Sequence, residues 1–362
     1  LNHVSGITAH ILAKSRVPLA RLSRYCSSYH CHTSENDDDW IRVIRNIVRS
    51  LGIDIVLPVT EKGIELVARN RKAISEFVAI PPIADSDLIS MSEDKWSFQC
   101  FAKENGFSVP ASVLIGKAGE TSIALSDLDS IEYPALLKPT LLDGGFGIVK
   151  VKEPSDLADM WNNERIIKGY QYMLQSYIPG VVFCLGLYSQ GGQIISYTLW
   201  KTLLTSTKRL YFSARAMEYV NNEEVIELTK RLISAMKWDG IANIDFLVGS
   251  NDGSVKILDF NPRFGQSLLG SLVAGVNFPL LSCLGAMGME YPSMQQQDAI
   301  RYVHPATQCK LIMSRFMGRR PPVKVQWKHG SLQFAVRDPL PELVYTFRRI
   351  VKRFQSRNHV NR

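Results

Sequence analysis

Two short apolar segments, each carrying one aspartate and separated by a turn, constrain this chain more than any other feature. The first is Asn243-Ile-Asp-Phe246 and the second is Ile257-Leu-Asp-Phe-Asn-Pro-Arg-Phe264. Between them lies Gly249-Ser-Asn-Asp-Gly-Ser254, and such glycine- and aspartate-rich stretches favour tight hairpin turns. Because side chains alternate between the two faces of a strand, the pattern predicts a hairpin whose polar side chains share one face.

Three of those polar side chains are oxygen donors of the kind that magnesium prefers. Asp245 and Asp259 would lie on neighbouring strands, and Asn261 would follow two residues further along the second strand. Mg²⁺ binds a few carboxylate and amide oxygens and completes its octahedron with water and phosphate oxygens. The residues therefore predict a magnesium site. The alternative is a pair of solvated carboxylates on an exposed strand face.

A glycine-rich turn supplies a second chemical signal. Gly144, Gly145 and Gly147 follow the apolar segment Leu136-Leu-Lys-Pro139 and precede another apolar segment. Glycines between strands let backbone N–H groups approach a polyphosphate without a Cβ clash, and Lys138 can add a positive charge. The turn matches neither a dinucleotide-binding fingerprint nor a Walker A loop. The alternative is an ordinary hairpin.

The order of these features resembles the ATP-grasp superfamily. Lys95 at a helix start, Lys138 before the glycine loop, Gln175-Ser-Tyr-Ile-Pro-Gly180 and the segments of Asp245 and Asp259 follow one another as in that family. Together they are far more specific than any one of them alone. The chain is most similar to carbamoyl-phosphate-synthase-like carboxylate–amine ligases, a group that includes D-aspartate-ligase-type enzymes.

The resemblance implies a role for each matching position. Lys95 and Lys138 would contact the α and β phosphates of ATP. The other positions divide into the loop that closes over the triphosphate (Gly144, Gly145, Gly147), the hinge whose backbone pairs with adenine (Gln175, Ser176, Tyr177, Ile178), and the ligands of one or two Mg²⁺ ions, or of Mn²⁺ (Asp245, Asp259, Asn261). Arg263 would stabilise the moving phosphoryl group, and Arg215 would add positive charge near the acceptor.

Each cation in this set also has a structural alternative. Lys95 could be a surface lysine, Arg263 could brace the fold through an ion pair, and Arg215 could be an ordinary charge on a strand surface. The chain also departs from the family pattern at three positions, one of which lies near Phe183 and Cys184, where many members carry a glutamate. Gln175 stands where many members carry glutamate, and Asp259 replaces the commoner glutamate, with a side chain shorter by one methylene group.

The predicted fold class is α/β, with α+β architecture in the ATP-binding part. Residues 1–92 would form a pre-ATP-grasp βαβ domain, either whole or truncated at its start, since no strand and helix precede the first strand. Residues 93–178 would form the first ATP-grasp subdomain with the glycine loop, and residues 179–295 the second, with the magnesium ligands. Residues 296–362 would form a basic extension.

Local patterns in the first domain predict individual elements. Apolar residues recur with helical spacing from Asp39 to Ser50, and Gly52 marks the end of that helix. The short apolar run Ile53–Val59 is typical of a buried parallel strand. Helical periodicity then resumes from Glu61 to Phe77.

Composition restricts the class of protein. No apolar run approaches the roughly 20 residues needed to span a bilayer, which favours a soluble protein. The six cysteines are scattered without paired spacing, which is typical of reduced thiols. We therefore expect a cytoplasmic location.

Positive charge is concentrated at the carboxyl-terminal end. Twelve lysines and arginines lie between Arg315 and Arg362, against two acidic residues, in a chain whose net charge is +8. Residues 341–354 have helical periodicity, so this basic helix would either pack against its own protein or lie on an anionic membrane surface. It lacks stacking aromatics and base-reading motifs, and we expect no nucleic-acid partner.

The resemblance implies an ATP-dependent ligase that forms carbon–nitrogen bonds. Its partners would be a small-molecule carboxylate and an amine, with Mg-ATP converted to ADP and phosphate. The alternative is a non-catalytic ATP-binding regulatory module of the same fold. Nothing in the sequence indicates the identity of the two substrates or the oligomeric state.

Overall fold

The structure, a computed structural model, describes residues 6–15, 19–118, 128, 130–142, 144–162, 166–205, 214–318, 323, 329–345 and 347–348. The elements of the first half of the chain are, in order, β1 (Ala9–Ala13), β2 (Cys26–Cys31), α1 (Asp37–Leu51), α2 (Glu61–Arg69), α3 (Arg71–Ser75), α4 (Ser86–Glu93), α5 (Lys95–Glu104), β3 (Ser112–Lys117), β4 (Ala135–Pro139), β5 (Val149–Val151), α6 (Pro154–Asn162) and β6 (Gln171–Ser176). Those of the second half are β7 (Gly180–Gln190), β8 (Gln193–Thr205), β9 (Ala214–Tyr219), α7 (Glu223–Met236), β10 (Gly240–Gly249), β11 (Val255–Asn261), α8 (Leu268–Val273), α9 (Phe278–Ala286), β12 (Arg301–Val303), α10 (Pro305–Phe316) and α11 (Leu332–Arg337).

The chain divides into two compact units. The first unit comprises residues 1–56, 70–80 and 303–362, and the second comprises residues 57–69 and 81–302. The second unit holds all the residues for which the sequence predicts a role in nucleotide or metal binding. The domain boundaries at residues 92, 178 and 295 stay predictions.

The first unit contains a parallel pair of strands whose second member, β2, is not among the elements that the sequence predicts. Strands β1 and β2 pair in parallel. Helix α1 begins after Asn36, whose side chain accepts a hydrogen bond from the Asp38 amide, and it ends at Gly52 with φ of 62°. A glycine adopts this left-handed conformation without a Cβ penalty, so the predicted helix and its end are confirmed.

Two local predictions in this region are wrong in extent. The predicted strand over residues 53–59 is reduced to one isolated parallel bridge between Ile55 and Ala79. Pro58, which has no amide N–H to donate, lies within that run. The predicted helix over residues 61–77 is divided at Asn70 into α2 and α3, which belong to different units.

The second unit contains two antiparallel sheets. The larger sheet has the strand order β11-β10-β7-β8-β9-β12, and the smaller one has the order β3-β6-β4-β5. The predicted strand–glycine loop–strand arrangement appears in the smaller sheet as the β4–β5 pair. This sheet carries Lys138, and the larger sheet carries Asp245 and Asp259.

The predicted hairpin is formed by β10 and β11. Asp245 lies directly opposite Asp259, and Asn243 lies directly opposite Asn261. The register shifts immediately after this pair, because Phe246 faces Ile257 and Leu258 is the extra residue. Such a bulge bends the strand locally, and bulges are frequent beside functional sites.

Helix α5 packs against β11 through aromatic contacts. The ring of Phe260 lies 5.5 Å from that of Phe98 and 4.7 Å from that of Trp238, and all three side chains are buried. The Gln99 amide of α5 donates hydrogen bonds to the carbonyl oxygens of Ile257 and Leu258 at the bulge. These contacts fix the amino-terminal end of α5 near Asp259.

Two further observations concern the whole of the described chain. Among the described residues, none of the helices is both long enough and apolar enough to cross a membrane. All six cysteines are free thiols, and Cys184 is the buried one.

Replacement of Phe260 tests the importance of this aromatic contact for stability. Phe260→Ala would leave a cavity between α5 and β11, and we expect it to lower the free energy of unfolding by about 3–5 kcal/mol. The matched control is Phe316→Ala, because Phe316 is 88% exposed and its loss should change stability by less than about 0.5 kcal/mol. Urea denaturation followed by circular dichroism measures both. Equal effects of the two substitutions would contradict this account of the core.

Candidate functional site

The predicted metal ligands meet on one face of the β10–β11 hairpin. Asp259 is buried, and Asp245 lies across from it with its side chain half-buried. The Asn261 amide nitrogen lies 3.5 Å from the Asp245 carboxylate and donates to the Asn243 carbonyl oxygen at 3.2 Å. The structure therefore brings the two carboxylates and the amide together as the strand alternation predicts.

Lys95 approaches Asp259 from helix α5. It is the first residue of the helix, which Asp94 caps by accepting a hydrogen bond from the Ser97 amide at 2.8 Å. The Lys95 ammonium group lies 3.7 Å from the Asp259 carboxylate and donates to the Leu142 carbonyl oxygen at 2.7 Å. Lys95 is therefore not a solvated surface lysine, because it links the carboxylates to the residues that precede the glycine loop.

Lys138 lies in β4 of the smaller sheet, and its side chain is buried. Its ammonium group donates to the Gln175 side-chain oxygen at 2.5 Å, and the Gln175 amide donates to the Ser112 hydroxyl at 3.1 Å. Lys138, Gln175 and Ser112 thus form a hydrogen-bonded row across β4, β6 and β3. A neutral amide is therefore the hydrogen-bond partner of the Lys138 ammonium group.

Burial and charge shift two pKa values in opposite directions. Burial, followed by the repulsion of Asp259, raises the pKa of Asp245 to about 7. Burial also lowers the pKa of Lys138 to about 8, against the opposing attraction of Asp259. Two adjacent carboxylates in a poorly hydrated place disfavour a second negative charge. A cation bound beside the pair would therefore favour the ionised form of Asp245.

The donor set fits a hard divalent cation. A cation between Asp245 and Asp259 would relieve the repulsion that raises the pKa of Asp245, and oxygen donors are the ligands that Mg²⁺ prefers. Asn261 would add an oxygen after rotation of its amide, since its oxygen now accepts a hydrogen bond from Arg263 at 3.3 Å. Within the described ranges, His, Cys, Asp and Glu form no group of three or more that could hold a metal. The fit to Mg²⁺ therefore depends on two carboxylates together with the amide of Asn261.

The glycine loop adopts a conformation that favours glycine. Gly144, Gly145 and Gly147 have φ angles of 59°, 70° and 74°. A Cβ added at Gly147 would lie 3.2 Å from the ring of Pro139 and 3.3 Å from the Ile167 side chain. Both the backbone and the space around it therefore restrict larger residues at Gly147. Asp143, at the start of the loop, lies outside the described residues.

The predicted hinge begins within the last two residues of strand β6 and continues beyond it. Gln175 and Ser176 are buried. The Ser176 amide donates to the Ala111 carbonyl oxygen at 2.9 Å, and the Tyr177 amide donates to that of Pro134 at 3.0 Å. These bonds fix the backbone that leads to Ile178. The adenine-binding role of this segment stays a prediction.

Arg263 is held by a residue that the sequence analysis missed. The Arg263 Nε atom lies 2.5 Å from a carboxylate oxygen of Glu61, the first residue of α2. Burial, together with the charges of Glu61 and Glu65, raises the pKa of the nearby Glu93 to about 7. Glu61 precedes Arg263 by 202 residues, and no local motif marks it.

Arg215 lies away from the two carboxylates, whereas Cys184 lies beside them. Arg215 lies in β9, separated from the strand of Asp245 by β7 and β8, so the structure does not bring it to the carboxylates. Cys184 lies directly opposite Asp245 on β7, and its thiol donates to the Asn243 side-chain oxygen at 3.2 Å. Burial raises the pKa of this thiol well above its usual range. The alternation of side chains along β7 could have indicated that Cys184 is a residue of the site.

The middle of the chain is similar to a known family of domains. Residues 92–267 match a family model described as an ATP-grasp domain. The chain is 23% identical over 188 residues to the arginine-specific large chain of carbamoyl phosphate synthase from Halalkalibacterium halodurans, which covers 50% of this chain. The chain spans only 17% of the length of that relative.

Solved structures show the same fold. One is the biotin carboxylase domain of 2-oxoglutarate carboxylase from Hydrogenobacter thermophilus, in complex with MgADP, ADP and bicarbonate, with a TM-score of 0.60 and 14% identity over 81% of this chain and 68% of that chain. Another is N5-carboxyaminoimidazole synthetase from Staphylococcus aureus, with a TM-score of 0.61 and 14% identity over 85% of this chain and 78% of that chain. The predicted ATP-grasp fold is therefore confirmed.

The raised pKa of Asp245 predicts how stability depends on pH. Folded Asp245 keeps its proton up to pH about 7, whereas an unfolded aspartate loses it near pH about 4. The folded state therefore binds more protons between these values, and this carboxyl lowers the free energy of unfolding as pH rises through that window. Asp245→Asn cannot ionise, so we expect the metal-free variant to be more stable than the parent by up to about 4 kcal/mol at pH 8 and about equal near pH 4.

Urea denaturation of both proteins across this pH range, in the presence of a chelator, measures the difference. Asp87→Asn is the control, because Asp87 is an exposed carboxylate in the same unit. A stability gain for Asp245→Asn that is independent of pH would contradict the electrostatic explanation.

Proposed function

From the premise that residues 92–267 form an ATP-grasp domain, we propose that the protein is an ATP-dependent carboxylate–amine ligase. It would activate a small-molecule carboxylate as an acyl phosphate, convert Mg-ATP to ADP and phosphate, and join the acyl group to an amine or a similar nucleophile. We propose that it acts in the cytoplasm and without a nucleic-acid partner.

One observation carries this proposal. A lysine of helix α5 meets the two aspartates of the β10–β11 hairpin. The Lys95 ammonium group lies 3.7 Å from the Asp259 carboxylate, and Asp259 lies opposite Asp245. Lys138 belongs to the same electrostatic group, because Asp259 and Lys95 both shift its pKa. This arrangement supports the binding of a triphosphate by the lysines and of its magnesium ion by the carboxylates.

Asp245, Asp259 and Asn261 would hold Mg²⁺, or alternatively Mn²⁺. When bound, the metal would neutralise negative charge on the phosphates as the γ-phosphoryl group moves. At pH 7 Lys138 is largely protonated and keeps a positive charge for the phosphates. Arg263 would stabilise the moving phosphoryl group, and the loop of Gly144, Gly145 and Gly147 would close over the triphosphate and exclude water.

The chemistry divides into two displacements. A carboxylate oxygen forms a bond to the γ-phosphorus while the bond between that phosphorus and the β–γ bridging oxygen breaks, and ADP leaves. The amine nitrogen then bonds to the acyl carbon, the acyl carbon–oxygen bond breaks, phosphate leaves, and the nitrogen loses a proton. Residues 175–178 would orient the adenine, and Arg215 would act outside the carboxylate cluster, toward the acceptor.

Replacement of Asp259 tests the metal and phosphate site. Asp259→Ala removes one carboxylate from the pair and the partner of Lys95, so we expect turnover at saturating ATP to fall by a factor of about 10²–10³. ADP release, measured by a coupled assay over a panel of carboxylates and amines with product masses determined, gives the rate.

The control is Asp252→Ala, an exposed residue of the hairpin turn that should retain the parent rate. Near-normal activity of Asp259→Ala would remove Asp259 from the site. ATP binding without turnover on every acceptor pair would favour the regulatory module over the ligase.

The carboxyl-terminal end supports a second, independent proposal. Helical residues 339–345 and 347–348 present Leu340, Leu343 and Phe347 at helical spacing, and these side chains are 50%, 64% and 66% exposed. The described part of the chain therefore leaves these side chains exposed, and the surrounding segment is strongly basic. We propose that this face contacts an anionic membrane surface. Residues 349–362 lie outside the described residues.

Vesicle binding tests this contact. We expect the full chain to co-sediment with vesicles that contain phosphatidylserine and not with neutral phosphatidylcholine vesicles, and the paired change Leu343→Glu and Phe347→Glu to abolish binding. Met287→Glu with Met289→Glu is the charge-matched control, because both methionines are exposed outside this segment. Equal vesicle binding by both paired variants would contradict the proposal.

A further inference from the structure

The geometry points to Glu61 as a positioning residue that orients Arg263 for phosphoryl transfer. This inference rests on the proposed function, because it concerns the residue proposed to stabilise the moving phosphoryl group. Glu61 lies outside the segment that matches the family model, which begins at residue 92. It belongs to the same compact unit as Arg263.

Each of the three nitrogen atoms of the Arg263 guanidinium group donates a hydrogen bond. Its Nε atom donates to Glu61 at 2.5 Å, Nη1 donates to the Phe264 carbonyl oxygen at 3.4 Å, and Nη2 donates to the Asn261 side-chain oxygen at 3.3 Å. Of these three contacts, the one with Glu61 is the shortest, and it joins opposite charges. Charge-assisted hydrogen bonds are stronger than neutral ones, so among the three Glu61 contributes most to the orientation of the group.

Glu61 is itself fixed by the start of helix α2. The Thr60 hydroxyl accepts a hydrogen bond from the Gly63 amide at 3.2 Å, and the Thr60 carbonyl oxygen accepts one from the Ile64 amide at 2.8 Å. Ile64 and Val67 on the next turns are buried, which anchors the helix in the second unit. The carboxylate is therefore presented from a rigid element rather than from a loop.

This arrangement connects residues 57–69 to the reaction. An arginine that must meet a moving phosphoryl group acts through its exact placement, and a shift of about 1 Å can cost about 10²-fold in rate. Glu61 touches neither the carboxylate pair nor the lysines in the structure, so its effect on the reaction would pass through Arg263. The neighbouring Glu65 pairs instead with Arg69 at 2.9 Å on the same helix.

The test compares Glu61→Gln, Glu61→Asp and the matched control Glu65→Gln. Each is assayed for affinity to Mg-ADP alone and to Mg-ADP with aluminium fluoride, which mimics the phosphoryl group in transit. We expect Glu61→Gln to bind Mg-ADP within about twofold of the parent but the aluminium fluoride complex about 10-fold or more less tightly, because only the second probe requires Arg263. Glu61→Asp should recover part of the loss, and Glu65→Gln should match the parent.

Double replacement shows whether Glu61 acts through Arg263. In the Arg263→Ala background, Glu61→Gln should cause no further loss of affinity for the aluminium fluoride complex. A further loss there would mean that Glu61 contacts the ligand itself and would overturn the positioning role. Full affinity of Glu61→Gln for the complex, with Arg263→Ala impaired, would also overturn it.

Two other outcomes separate this inference from the proposed function. If Arg263→Ala binds the aluminium fluoride complex as the parent does, Arg263 has no role in the transfer, and the inference falls while nucleotide binding stands. If the folded parent protein binds no Mg-ADP, the proposed function fails, and the inference fails with it. Thermal unfolding of each variant confirms that the comparison concerns folded protein.

Discussion

The repulsion between two aspartates on neighbouring strands is the interaction on which the candidate site depends. Asp245 and Asp259 face each other directly across β10 and β11, in a place where burial weakens the solvation of charge. Charges at such a separation interact strongly when water is excluded. The protein offsets this repulsion with Lys95 at 3.7 Å and with the nearby Lys138. A bound divalent cation would reduce the repulsion further.

The surrounding structure holds this unfavourable pair in place. The bulge at Leu258 ends the regular register directly beside the aspartates, and the Gln99 side chain binds the carbonyl oxygens of Ile257 and Leu258. Phe260, the residue after Asp259, is buried against Phe98 and Trp238. Apolar burial on one side of the strand thus stabilises a polar arrangement on the other, where the charges alone would oppose folding.

The parts of the fold that depend on neighbouring residues were accessible from the sequence. The hairpin of β10 and β11 followed from a local turn and from strand alternation, and the end of α1 followed from Gly52. The strand predicted over residues 53–59 was wrong, because an apolar run does not by itself provide a neighbouring strand to pair with. Pairing partners are a property of tertiary structure, which a single local pattern does not contain.

The same limit applies to the candidate site. Asp245, Asp259 and Asn261 lie on two consecutive strands, so their convergence could be predicted. Glu61 meets Arg263 only because the fold brings together residues 202 positions apart, and the separation gives no periodic signal. Cys184 is an intermediate case. It lies on β7 opposite Asp245, but its place beside the carboxylates depends on which strand adjoins β10.

The contact between Lys138 and Gln175 has a consequence for how this cation is used. A carboxylate at position 175 would neutralise the ammonium group, whereas the amide oxygen of Gln175 orients it at 2.5 Å and leaves its formal charge intact. The amide is in turn held by the Ser112 hydroxyl, so its oxygen rather than its nitrogen faces the lysine. A buried cation whose hydrogen-bond partner is neutral is costly for the empty protein, even with Asp259 nearby. A phosphate group bound as proposed would offset this cost, and Gln175 would then link phosphate binding to the rigidity of the smaller sheet.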